Sequence, residues 1–184
     1  SEPKSGMGKI LPNKVIKDKL DSSLKKNKNI EILVRSKSIK KEINANKVSI
    51  IIDEQKEIFA NVLILSVNDH TLIDYEKIKF ISHDLDQTAL SMNVTGEFKK
   101  QNHAFQIFTT SGPLAFLPYS NDKASIVWSL KNNSRELKYD KINLESKINN
   151  YFEKEIGTLK IENIENHKLN FNFAKKLYDR NTVI

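Results

Sequence analysis

Cysteine is absent from all 184 residues, which excludes disulfides, thiolate metal sites and a cysteine nucleophile. Glycine and proline are scarce, at five and four residues, so the chain is neither collagen-like nor a flexible linker. No apolar run in the sequence reaches the roughly 18 residues that a membrane-spanning helix needs. Arginine occurs only at Arg35, Arg135 and Arg180. Proteins that read phosphates or base edges usually rely on arginine's bidentate fork, so this scarcity argues against such a role. The signatures GxGxxG, GxxxxGK[ST], HExxH and GxSxG are missing. His70, His83, His103 and His167 have no histidine partner four residues away, and they read as surface or loop residues. No metal site is expected.

What is present is a chain apolar enough to fold. Hydrophobic residues make up 39% and aromatic residues 8%, too much for a disordered segment. The net charge is +7, and 27 of the 30 cations are lysine. Lys, Asn and Ile together account for 69 residues, more than a third of the chain. The lysines are scattered among Glu and Asp, so the charge reads as a compositional habit, and no nucleic-acid partner is expected. Ser1 to Gly6 carries no apolar signal-peptide core, and Thr182-Val183-Ile184 reads as the opening of a buried strand. Domains seldom end in mid-strand, so a piece of a longer protein is the expectation.

Periodicity organises the chain. Pro12-Asn13 can open a helix in which Val15, Ile16, Leu20 and Leu24 recur at helical spacing, ending near Asn27-Lys28-Asn29. Short alternating runs follow at Ile30, Ile32 and Val34, at residues 39–43, and at Val48, Ile50 and Ile52. Residues 44–46 and 53–55 supply turns, giving a small antiparallel meander. Residues 61–65 form a continuous apolar run that reads as a strand buried on both faces. After a polar loop at 66–74 comes a short strand at 78–81. A second β-rich region follows at 88–95, 104–109, 114–119 and 125–130. The last two are joined by a turn at 120–123 and form a hairpin. Residues 142–154 have helical spacing through Ile148, Tyr151 and Phe152, and Leu169, Phe171 and Phe173 alternate as a strand. Residues 174–178 suit a helical turn. Asp84 and Asp86 read as solvated residues of a polar connection, not as an acid/base or calcium pair. The expected class is α+β: an antiparallel sheet with a flanking helix, attached to a helix plus β-meander. The expected division is 1–74, 75–173 and 174–184.

The most informative stretch is Ser111-Gly112-Pro113-Leu114-Ala115-Phe116-Leu117-Pro118, followed by Ser125-Ile126-Val127-Trp128-Ser129. By composition it is a buried hairpin whose turn is Gly112-Pro113. Its wording resembles the GPLAxLPL…SxVW segment of the ubiquinone-biosynthesis flavin hydroxylases, which share the fold of p-hydroxybenzoate hydroxylase. Gln87-Thr88-Ala89 with Val94 resembles the strand that precedes it in that family. Ala104-Phe105-Gln106-Ile107-Phe108 resembles the family's A-x-[EQ]-R-F step, with Ile107 in place of the Arg. Residues 8–16 and 171–184 resemble flanking landmarks in the same order.

The resemblance implies an FAD-dependent, nicotinamide-reduced monooxygenase that hydroxylates an aromatic ring. The helix and meander would then be a remnant of its FAD-binding α/β domain. The family's GxGxxG and GDAxH motifs would lie outside residues 1–184. Its middle ADGxxS motif would fall at Val67 to Leu72, where Asn68 replaces Asp and Asp69 replaces Gly. Asp69 loses the positive-φ freedom of glycine and puts an anion near a pyrophosphate. Asn68 and Asp69 are therefore a degenerate form of the cofactor-binding motif, and the chain alone is expected to be inactive. The antiparallel sheet would form the substrate wall, with Phe108, Gly112, Pro113, Leu117, Pro118 and Trp128 in or behind it. No catalytic residue is assigned.

The implied partners are a prenylated aromatic quinone precursor and other enzymes of its pathway. The implied location is cytoplasmic, with peripheral contact at the inner membrane. A non-catalytic relic that binds a quinone, a lipid or a partner enzyme through the same sheet is the alternative. A basic module for nucleic acid or anionic membrane has only the charge behind it.

Overall fold

A computed structural model describes residues 8–33, 39–44, 47–53, 56–66, 79–100 and 102–184. In chain order the elements are α1 (Asn13–Lys26), β1 (Ile39–Asn44), β2 (Lys47–Ile52), β3 (Lys56–Ala60), β4 (Leu63–Ile64) and β5 (Phe80–Gly96). Then come β6 (Phe105–Thr109), β7 (Gly112–Pro118), β8 (Lys123–Lys131), a 3-10 turn at Arg135–Lys138, and α2 (Lys141–Phe152). The chain finishes with β9 (Leu159–Ala174), β10 (Tyr178–Asp179) and β11 (Thr182–Val183). The class is α+β. Two compact units divide the chain: Ser1–Leu24 with Asp84–Asn170, and Lys25–His83 with Phe171–Ile184.

The first unit is built on a five-stranded sheet of order β6-β7-β8-β5-β9. Alternation along each strand decides its two faces. Leu90, Met92 and Val94 on β5, Leu114 and Phe116 on β7, and Ala124, Ile126, Trp128 and Leu130 on β8 are all buried. The register places Leu90 and Leu114 on either side of Trp128, and Met92 and Phe116 on either side of Ile126. α2 covers this face with Leu144, Ile148 and Phe152, one every four residues and therefore on one side of the helix. Phe98 meets Phe116 edge-on at 5.1 Å between ring centroids, and Tyr151 meets Trp128 edge-on at 5.9 Å. Both are favourable quadrupole arrangements.

Local polar groups fix the frame around this core. The Asp140 carboxylate caps α2 by accepting the Asn143 N–H at 2.8 Å. The Asn149 side chain acts as a substitute strand for β9: its Oδ1 accepts the Leu159 N–H at 2.7 Å, and its Nδ2 donates to the Leu159 carbonyl at 2.9 Å. The Ile161 N–H donates to the Glu145 carboxylate at 2.8 Å. The start of β9, which lies at the sheet edge, is thus occupied by helix side chains instead of being left open.

In the second unit β1, β2 and β3 form an antiparallel meander. β4 lies parallel to β11, and β10 pairs with β11 through a tight turn at Arg180-Asn181. The Leu63 and Leu65 N–H groups donate to the carbonyls of Asn181 and Val183, both at 2.8 Å. Leu65 is buried against Leu63, Phe80, Ala174 and Ile184.

Several expectations change here. The run at 61–65 is not buried on both faces: Leu65 is buried, but Val62 and Ile64 are exposed, Ile64 at 74%. β4 is two residues long at the edge of a three-stranded sheet, and such a short strand lines a core with one side only. Of the run expected at Ile30, Ile32 and Val34, residues 30–33 are exposed and form no strand, and Val34 lies outside the described residues. Of the short strand expected at 78–81, Phe80 and Ile81 open the 17-residue β5, and residue 78 lies outside the described residues. Asp84 and Asp86 lie within β5, where Asp86 adopts φ +52° and its carbonyl accepts the Asn132 N–H at 3.1 Å. Residues 175–177 form a bend leading into β10, not a helical turn.

Candidate functional site

The face of the first unit's sheet opposite α2 carries different chemistry. The odd-numbered residues of β5 from Gln87 onward and those of β7 and β8 project to it, as do Gln106 and Phe108 of β6. Ser91, Asn93, Ser125, Val127, Ser129, Ala115 and Leu117 lie on this side, in a register that sets Ser91 opposite Val127 and Leu117 opposite Ser125. The face is therefore a floor of hydroxyls, amides and small apolar groups. The segment before α1 lies over one part of it. Ile10 to Asn13 together with Ser91, Asn93, Leu117, Tyr119, Ser125, Asn163 and Glu165 enclose a cleft of about 490 Å³. Pro12 helps shape it: its carbonyl accepts the N–H groups of Val15 and Ile16, at 2.9 and 3.4 Å, and so starts α1 at the cleft wall. The Asn93 N–H donates to the Asn163 Oδ1 at 3.2 Å, which ties β5 to β9 at the floor.

The residues singled out in the sequence are distributed over this structure. Leu117 lines the cleft. Phe108 and Pro113 sit directly opposite each other on the same sheet face, and Phe108 is 81% exposed. Pro118 ends β7 and lines a neighbouring cleft. Trp128 is fully buried on the other face, toward α2. Gly112 is part of β7, so the turn is not Gly112-Pro113 but Thr110-Ser111. The Thr109 hydroxyl holds that turn. It donates to the Gly112 carbonyl at 2.7 Å and accepts the Ser111 and Gly112 N–H groups, each at 3.2 Å. The Ser111 hydroxyl donates to the buried Glu136 carboxylate at 2.6 Å. Gly112 is required by backbone approach. Its φ is +140°, and a Cβ there would lie 2.0 Å from the Ser129 carbonyl oxygen. Asn68 and Asp69 lie outside the described residues.

Sequence reasoning missed the polar members of the cleft: Asn13, Ser91, Asn93, Tyr119, Ser125, Asn163 and Glu165. Part of the signal was available. Ser91 and Asn93 alternate with Leu90, Met92 and Val94, and Ser125 with Ala124 and Ile126, which marks a sheet with one polar face. Away from the cleft, the Lys100 ammonium bound to Glu155 holds that carboxyl below the usual glutamate range. Among the described residues no group of three or more His, Asp or Glu side chains is placed to hold a metal ion. No described helix is long and apolar enough to cross a membrane.

Neither the N-terminus of α2 nor the first cleft fits the diphosphate of a dinucleotide. The N-terminus of α2 is already occupied by the Asp140 carboxylate, and the first cleft contains Glu165 and no cation.

No family model and no curated protein matches the chain. Solved structures match its fold. p-Nitrophenol 4-monooxygenase from Pseudomonas putida aligns with a TM-score of 0.65 at 10% identity, over 95% of this chain and 46% of its own. The FAD-dependent myxobacterial chondrochloren halogenase aligns at 0.53 and 12%, over 79% and 38%. The flavin-dependent monooxygenase PieE, solved with FAD and substrate, aligns at 0.52 and 10%, over 79% and 28%. The chain is thus similar in fold to part of the flavin-dependent monooxygenases and halogenases, and it spans less than half the length of each of these three. At such identities the likeness is one of fold.

Proposed function

We propose that this chain is the substrate-side portion of a flavin-dependent aromatic-ring monooxygenase, and that its substrate is a prenylated phenol or quinone precursor of the ubiquinone type. The observation that carries the reading is the cleft over the α2-distal sheet face. Hydroxyls and amides at Ser91, Asn93, Ser125 and Asn163 can hydrogen-bond a phenol or quinone oxygen. Leu117 within the cleft offers apolar contact to the ring. Phe108 and Pro113, on the same face, extend an apolar strip outward. Of the residues singled out in the sequence, Leu117, Phe108 and Pro113 are the ones proposed for ring contact. Gly112 and Trp128 support the wall from within and behind it.

The hydride and oxygen chemistry of a flavin enzyme belongs to the flavin. Neither the first cleft nor the N-terminus of α2 fits one, so the contribution assigned to this chain is binding and orienting the ring. For the same reason binding without chemistry, of a quinone or lipid on this face, is the second reading. In both readings the ligand resides at a membrane surface, where peripheral contact is proposed.

Titration of the chain with a 2-prenylphenol, followed by amide NMR, tests the assignment. Resonance shifts are expected at Ser91, Asn93, Leu117 and Ser125, and Ser125→Trp is expected to weaken binding at least tenfold. Shifts confined to the second unit, or none at saturating ligand, would remove this reading. Addition of FAD to the chain distinguishes flavin retention separately, since a ligand bound only by the folded state raises Tm.

A further inference from the structure

β6 differs from the other sheet edges of this chain. It is the outermost strand of the five-stranded sheet and pairs only with β7. Its sequence, Phe105-Gln106-Ile107-Phe108-Thr109, has no charge and no proline, and none of its residues has a positive φ. Edge strands are normally blunted by charge, proline, a bulge, shortness or a cover, because open N–H and C=O groups recruit another strand. The other edges have such protection. The start of β9 is occupied by the Asn149 and Glu145 side chains, and its sequence includes Lys160, Glu162, Glu165 and Lys168. The β1 sequence includes Lys40, Lys41 and Glu42, and that of β3 includes Lys56 and Glu57. β4 and β10 are two residues long. Register decides which groups β6 leaves open. Phe108 pairs with Pro113, which has no N–H, so theirs is the non-hydrogen-bonded kind of antiparallel pair. Alternation makes Gln106 and Ala115 a pair of the same kind. The Tyr119 N–H, just past β7, donates to the Lys123 carbonyl at 3.1 Å, and so fixes the same phase: odd-numbered residues along β7 turn their backbone groups to β8. Gln106 and Phe108 therefore point their N–H and C=O groups away from β7. Among the described residues these groups have no backbone partner.

We infer that β6 pairs antiparallel with β6 of a second copy of this chain, across a two-fold axis at Ile107. The open groups are complementary to themselves in this register. Gln106 of each copy lies opposite Phe108 of the other as a hydrogen-bonded pair, so every outward N–H meets an outward C=O. On the core side Ile107 meets Ile107, which extends the apolar layer that Phe105 and Ile107 already border. On the open face Gln106 of one copy meets Phe108 of the other. No like charges oppose each other in the pair, although the chain carries a net charge of +7. The Lys100 ammonium, 5.5 Å from the Phe105 ring centroid, is bound to Glu155. Because the β9 edge is protected, the assembly closes at two copies and does not grow into a fibre. One strand pair of this length is smaller than the roughly 1,600 Å² of a standard stable interface, so the dimer is a transient one.

The test is sedimentation equilibrium of the whole chain over a concentration series, with amide hydrogen exchange at each concentration. A monomer–dimer equilibrium is expected, with protection of the Gln106 and Phe108 amides rising as the dimer forms. Gln106→Pro removes one outward donor and leaves the bonds to β7 in place, a position where an edge strand tolerates proline. It is expected to weaken dimerisation by roughly tenfold or more, because the two-fold axis makes the loss count twice. Phe108→Lys, which puts a charge on the edge, provides the same comparison should the first variant not fold. A chain that stays monomeric at millimolar concentration overturns the inference. So does a dimer in which the two amides exchange as fast as in the monomer, or one that survives both substitutions, because it forms elsewhere. Protection of both amides at a level that does not change with concentration means that the edge is covered within one copy, and overturns the inference as well.

Discussion

Residues on paired strands of this sheet have opposite fates, and the contrast can be measured. Phe108 and Phe116 lie on adjacent, paired strands of the same sheet, yet Phe116 is fully buried between Phe98 and Phe152 while Phe108 projects from the open face. Phe116→Ala is expected to cost about 3–5 kcal/mol in urea unfolding, the usual range for a large aromatic truncated in a core. Phe108→Ala is expected to change stability by less than about 0.5 kcal/mol. If Phe108→Ala costs as much as Phe116→Ala, the face assignment of β6 is wrong. Gly112 gives a second, sharper case. Gly112→Ala forces a Cβ against the Ser129 carbonyl at a backbone angle that side chains rarely adopt. A loss of at least about 1–3 kcal/mol is expected from the strain, and a neutral Gly112→Ala would show that β7 and β8 can separate there at no cost.

At the scale of elements, the two helices have opposite energetic bases. α2 buries Leu144, Ile148 and Phe152 and holds the β9 edge with Asn149 and Glu145. α1 has a comparable apolar stripe at Ile16, Leu20 and Leu24 but no buried residue, and Leu20 is 58% exposed. Helical stability in proteins comes mostly from packing an apolar face, so α1 contributes little to holding this fold. Replacing Ile16, Leu20 and Leu24 individually with Ser is expected to shift the unfolding midpoint by less than the equivalent of about 0.5 kcal/mol each. Losses of about 2 kcal/mol or more per site would mean that the stripe is packed in solution.

For the molecule as a whole, core size differs between the two units. The first unit's core joins sixteen buried side chains from the sheet, α2 and the segments that follow β5 and α2. Around β4 in the second unit, Leu65 is the one buried member of its cluster among the described residues. Local opening free energy follows buried apolar contact. Amide hydrogens of β4, β10 and β11 are therefore expected to exchange well before those of β5, β7 and β8 in native-state hydrogen exchange. Equal protection across both units would contradict this ordering.

The sequence alone determined what strict periodicity determines: the α+β class, α2 and its buried face, the β7–β8 hairpin and its turn, and the alternation of β9 through Phe171 and Phe173. These follow from local side-chain spacing, which the backbone repeats of 3.6 and 2.0 convert directly into faces. The likeness to flavin hydroxylases was legible in residues 87–130 and agrees with the fold neighbours at the level of flavin-dependent monooxygenases and halogenases. Only the tertiary structure decided that Leu117, Phe108 and Pro113 share the open face while Trp128 is buried behind it. Only the structure enclosed Asn13, Asn93, Ser125, Asn163 and Glu165 in one cleft, because these residues come from segments far apart in the chain and meet through strand register and the path of the chain before α1. It also decided that Gly112 lies in a strand and not in a turn. The steric demand there comes from the Ser129 carbonyl on the next strand, a contact that no local pattern around Gly112 records.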